Sequence, residues 1–110
     1  MRSYSPPRYR VMLVKESGAT AGDVRISDSN NAHRFLAPLF DGLDREHFMV
    51  VGLDAKHAVI GINTVSIGSV TLSIVHPREV FKPLILMNAG AWLCVHNLCG
   101  APHKLCYVTS

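Results

Sequence analysis

The chain has 110 residues, of which 48% are hydrophobic and 17% charged, which excludes a disordered polymer and fits one folded domain rather than two. The net charge of +3 is spread over basic residues from Arg2 to Lys104 with no dense run, so the sequence lacks the concentrated basic tract of a dedicated nucleic-acid binder. No stretch approaches the roughly 18 consecutive apolar residues of a membrane span, and MRSYSPPRYR has no apolar centre of the kind a secretory signal needs.

Residues 1–8, with Ser5-Pro6-Pro7, read as a flexible leader. Tyr9 to Val14 (YRVMLV) predicts a short apolar strand, followed by a Gly-containing loop to Asp23. Ser27, Asp28 and Ser29 are candidate N-caps for a helix reaching Phe40. Its apolar positions Ala32, Phe35, Leu36, Leu39 and Phe40 form a one-sided stripe, and Pro38 predicts a bend or an early end.

His47 to Asp54 (HFMVVGLD) is almost continuously apolar, the pattern of a strand buried on both faces. Asp54-Ala55-Lys56-His57 predicts a tight turn, and Ala58 to Ile67 a returning β-branched strand, giving an antiparallel hairpin. Val70 to Ile74 is a candidate short strand. Pro77 suits the first turn of a helix carrying Val80, Phe81, Leu84 and Ile85, with Pro83 distorting its second turn. Asn88-Ala89-Gly90 ends that helix, and Ala91 to Val95 forms a strand that delivers His96 at its C-terminal end. From Leu98 onward periodicity is lost. The order predicts an α/β (α+β) domain with a mixed β-sheet flanked by helices.

The three cysteines, Cys94, Cys99 and Cys106, lie near the C-terminus. An odd count confined to one end does not make a disulfide framework, which favours a cytoplasmic location.

Several blocks carry a family resemblance: Ser66-Ile67-Gly68-Ser69, then VHPREVFKP from Val75 to Pro83, and the strand ending in His96-Asn97. Together they resemble the RadC family, a branch of the JAB/MPN (JAMM) metallohydrolases, over residues 9–97. The resemblance implies an incomplete JAB/MPN, cytidine-deaminase-like domain. It also implies zinc-dependent, metalloprotease-type hydrolysis of amide or isopeptide bonds. In such a site two histidines and an aspartate hold zinc, whose bound water becomes a ready nucleophile. Glu46, directly before the apolar strand, corresponds to the general base, and His96 to the first metal ligand. Read by residue type alone, Glu46 is a solvated loop carboxylate and His96 a structural histidine at a strand end. Arg78 and Glu79 are adjacent on a helix and point apart, so they read as exposed or capping residues rather than a catalytic pair.

The family text continues His-Asn-His-Pro-Ser-Gly, with a serine and an aspartate further on, whereas here it reads His96-Asn97-Leu98-Cys99-Gly100. Leucine offers zinc no lone pair, and the motif's serine and aspartate find no counterpart before Ser110. The expectation is therefore a catalytically dead relative that does not retain stoichiometric zinc at the family site. Residues 98–110 are expected to be an aberrant tail left by truncation or a frame change in a short phage- or plasmid-type relative. That loss is expected to expose the strand Ala91 to Val95, including Trp92. A non-catalytic scaffold is the alternative function, and the family's DNA-repair label suggests association with DNA. The tail also spells H-x2-C-x3-H-x2-C through His96, Cys99, His103 and Cys106, four donors of a small structural zinc knuckle whose central spacer is short for a zinc finger.

Overall fold

The computed structural model describes residues 3–16, 18, 24–42, 45–68, 76–98 and 101–109, with backbone alone at 98 and 101–109. Its centre is a four-stranded sheet formed by β1 (His47–Leu53), β2 (Val59–Ile67), β3 (Ala91–Leu98) and β4 (Ala101–Thr109). The strands lie in the order β2-β1-β3-β4. Helix α1 (Ser29–Leu36) packs on one face and α2 (Pro77–Leu86) on the other.

The expected α+β architecture is present, but the three pairings of the described strands are all antiparallel where a mixed sheet was anticipated. The reason lies in the connections. β1 and β2 are joined by a tight turn, which forces antiparallel pairing, and β3 returns beside β1 in the opposite sense.

Asp28 caps α1: its Oδ1 accepts the Asn31 backbone N–H at 2.7 Å. The helix then tightens into a 3-10 turn over Ala37–Phe40. Pro38, which lacks an N–H, stands at the start of that turn, as the sequence suggested. Ala32, Leu36 and Phe40 of the stripe are buried, while Leu39 is exposed.

β1 is buried on both faces because it lies between β2 and β3 with a helix on each side. Met49, Val51 and Leu53 join Leu36, Phe40, Leu93 and Val95 beneath α1. Phe48 and Val50 join Val80, Leu84 and Cys94 beneath α2. At the β1–β2 turn, Asp54 Oδ1 accepts the backbone N–H groups of Lys56 at 2.8 Å and Ala58 at 2.9 Å. Those bonds hold its carboxyl below the ordinary carboxylate range. His57 takes a positive φ of 66°.

α2 begins with Pro77 in its first turn and continues past Pro83 to Leu86. Asn88, with φ of 57°, reverses the chain, and Gly90 N–H donates to the Leu53 carbonyl at 2.8 Å. Gly52 permits the close approach of this segment, since a Cβ there would lie 2.7 Å from Met87 Sδ.

Three expectations about the strands are corrected or lie outside the described residues. Tyr9 to Val14 does not form a strand; it pairs with none of the described strands and is exposed. Apolar and β-branched residues favour a strand only where a partner supplies the ladder and a face to pack on. The outer side of β2 instead receives residues 24–26, which meet it near Ala58 through an Arg25–Ala58 bridge. Residues 101–109, in the segment expected to be an aberrant tail without periodicity, form β4, antiparallel to β3. β3 is consequently an interior strand, with Leu93, Cys94 and Val95 buried and Trp92 packed edge-on against Phe81 at 5.4 Å. The candidate strand Val70 to Ile74 lies outside the described residues. No helix among the described residues is long and apolar enough to cross a membrane.

Candidate functional site

The two site residues singled out in the sequence, Glu46 and His96, come to the same end of the sheet. β1 and β3 pair so that Phe48 faces His96, and their rings stack with centroids 6.0 Å apart and planes inclined by 13°. Continuing that antiparallel register carries Glu46 to the level of residue 98. Strand alternation places His96 on the α2 side of the sheet, where Phe48 and Cys94 also lie.

Glu46 is half-buried and its backbone is gripped from both sides. Its carbonyl accepts the Gly68 N–H at 2.8 Å, from the end of β2. From β3, the Asn97 side chain clasps the peptide groups flanking it: Nδ2 donates to the Arg45 carbonyl at 3.0 Å, and Oδ1 accepts the His47 N–H at 2.6 Å. Asn97 is the one buried polar residue of the described core, and its amide matches one donor and one acceptor to the backbone it meets. Sequence reasoning passed over Asn97. Its signal was a carboxamide on a strand otherwise filled with apolar residues, beside the histidine it helps to place.

His96 is half-buried, and its Nδ1 is enclosed without a hydrogen-bond partner among the described residues. A buried polar atom in that state calls for a bound group or ordered water. The donors around it do not fit the zinc of a JAMM site, because leucine occupies position 98, where the second imidazole belongs. Among the residues whose side chains are described, no three His, Cys, Asp or Glu side chains converge on a common point.

The block at the start of α2 is separate from this pair. His76, at the N-cap, lines a surface hollow of about 380 Å³ with Pro77, Arg78 and Glu79. Arg78 and Glu79 are exposed, as expected. Cys94, next to His96 but one on the strand, is buried, and burial pushes its thiol up to about 11. That thiol is a core group rather than a nucleophile.

The described elements form an α+β domain with its sheet between two helices, Glu46 before one central strand and His96 near the end of its neighbour. The family model described as RadC-like JAB domain matches residues 26–103, and the chain belongs to that family. Similar curated relatives are UPF0758 proteins. One from Desulfitobacterium hafniense is 53% identical over 55 residues, covering 50% of this chain and 24% of the relative. One from Caldanaerobacter subterraneus is 54% identical over the same share of each chain. One from Bacillus licheniformis is 48% identical over 67 residues, 61% of this chain and 30% of the relative. The matched part thus spans between about a quarter and a third of those proteins' length.

Proposed function

We propose that this chain is a RadC-like JAB module that does not hydrolyse amide or isopeptide bonds and acts instead through protein contacts. The observation that carries this reading is the register at the end of β1 and β3. Phe48 pairs with His96 there, which by resemblance stands for the first ligand; Glu46, two residues before Phe48, stands for the general base, and Leu98 follows two residues after His96, where the resemblance calls for a second histidine. One imidazole and one carboxylate do not hold a hydrolytic zinc against water and competing chelators. Glu46 without such a metal has no activated water to deprotonate.

Surface chemistry supports the contact role. α2 exposes Phe81 and Ile85, and the segment from Tyr9 to Val14 exposes apolar side chains along its length. Val11, Phe81, Ile85 and Leu86 line one surface hollow together, and grouped apolar side chains of this kind mark surfaces that meet other proteins.

The test is hydrolysis of an isopeptide-linked substrate by the zinc-supplemented full chain, beside Glu46→Gln and a version carrying the family ending His-Asn-His-Pro-Ser-Gly with its later serine and aspartate. The expected result is equal background for the first two and a gain only in the restored version. Turnover by the unaltered chain that Glu46→Gln abolishes would overturn the proposal.

A further inference from the structure

We infer that the outward face of α2, together with Val11 of the leading segment, is a docking groove for an acidic amphipathic segment of a partner protein. The inference rests on the reading of this chain as a contact module and names the chemistry of what it contacts.

α2 carries two apolar stripes, and the sheet takes only one of them. Val80 and Leu84 are buried with Phe48, Val50 and Cys94. Phe81 and Ile85 each stand one position further on, about 100° round the helix, and remain exposed, Ile85 at 72%. A helix that packs a single face on its own domain carries polar residues on the opposite one. Phe81 is held by its edge-on contact with Trp92 at 5.4 Å, so part of the second stripe is ordered before anything binds, which lowers the cost of association.

Val11 closes the stripe on one side. It joins Phe81, Ile85 and Leu86 around a hollow of about 330 Å³, at the lower end of the roughly 300–1,000 Å³ of small-molecule pockets. That volume suits one or two large apolar side chains.

Charge supplies the other half of the argument. Arg78 and Lys82 complete the lining, and positions 78, 81, 82 and 85 fall at i, i+3, i+4 and i+7, one face of the helix. Like charges four residues apart oppose each other, and Glu79, the one carboxylate of α2, lines the separate hollow with His76 and Pro77. Arg8 and Arg10, just before Val11, carry the same sign. An apolar floor with a cationic rim is complementary to a large apolar side chain flanked by carboxylates. A lipid surface is the poorer match, because interfacial helices present a broad free apolar face, whereas Phe81 leans on Trp92 and Leu86 is half-buried.

The full chain is titrated into a short fluorescein-labelled peptide in which glutamates flank a leucine and a phenylalanine. One twin peptide has lysine for each glutamate, and another has serine for each apolar residue. Anisotropy is expected to rise with the glutamate peptide alone. Ile85→Ser weakens that binding at least about tenfold, as loss of an anchor side chain does. The double variant Arg78→Glu/Lys82→Glu exchanges the preference and takes the lysine twin instead, a gain that misfolding does not produce. Equal binding of the glutamate and lysine peptides by the unaltered chain, or binding of neither, overturns the groove. A sedimenting dimer that Ile85→Ser dissociates also overturns it, by giving the face to a second copy, and so does capture by phosphatidylserine vesicles in place of the peptide. Isopeptide hydrolysis abolished by Glu46→Gln sinks the preceding reading even where the peptide still binds, whereas an inactive chain that binds no peptide sinks the groove alone.

Discussion

Replacing Asn97 by alanine removes the clasp that joins β3 to the start of β1. Two hydrogen bonds disappear, at 2.6 Å and 3.0 Å. They leave the His47 N–H and the Arg45 carbonyl without the partners that the carboxamide supplied. A buried backbone group stripped of its partner costs about 1–3 kcal/mol, and the Arg45 carbonyl recovers part of that from water at the exposed Arg45. The expected loss is therefore about 2–4 kcal/mol, a large fraction of the roughly 5–15 kcal/mol that stabilises a domain. With a slope near 1–3 kcal/mol per molar urea, the midpoint falls by about 1–2 M. Asn97→Asp separates the two bonds. It keeps an acceptor for the His47 N–H but sets an oxygen against the Arg45 carbonyl, so it recovers little of the loss. Urea unfolding read by the fluorescence of Trp92 measures both variants. Amide exchange at His47 reports the local effect, because that N–H is protected only while the clasp holds. An Asn97→Ala midpoint within about 0.3 M of the unaltered chain, at the same slope, would refute the clasp as a stabilising element.

Gly52→Ala is expected to destabilise by about 1–3 kcal/mol through overpacking, because its Cβ would stand 2.7 Å from Met87 Sδ and 3.4 Å from Leu84 Cδ2; thermal unfolding of Gly52→Ala beside Gly52→Ala/Met87→Ala checks it, since trimming Met87 relieves the clash. The buried Cys94 thiol sets an alkaline limit. Its folded pKa of about 11 lies above the ordinary thiol value, so the fold favours the neutral form. That contribution is whole below about pH 8.5, where the unfolded thiol is also neutral, and is lost as pH rises towards the folded value. Stability measured from pH 8 to 11 is expected to decline less steeply in Cys94→Ala, and an identical slope would show that this thiol does not titrate in the unfolding reaction.

Local chemistry made much of this domain legible in advance. The cap at Asp28, the early end of α1 before Pro38, the hairpin turning at Asp54 and the start of α2 at Pro77 each depend on neighbours within a few residues. The family blocks were legible for a related reason: VHPREVFKP and the strand ending in His96 are contiguous text. Tyr9 to Val14 went the other way. Its residues suit a strand, but it pairs with no strand among the described residues, so it remains an exposed segment without secondary structure.

What the amino-acid order determined by itself was the family, both helices, the first three strands of the sheet, and the leucine at position 98 where the family has its second histidine. Only the tertiary structure decided that Glu46 and His96, fifty residues apart, share one end of one sheet. It also decided that Asn97 is the residue fastening that end together, and that Cys106 faces His96 from a fourth strand. The physical reason is the difference between a period and a register. Periodicity is written along each segment. The register between distant strands is chosen by the joint burial of both faces of β1 and β3 and the polar pairing at their rim, which no segment carries alone.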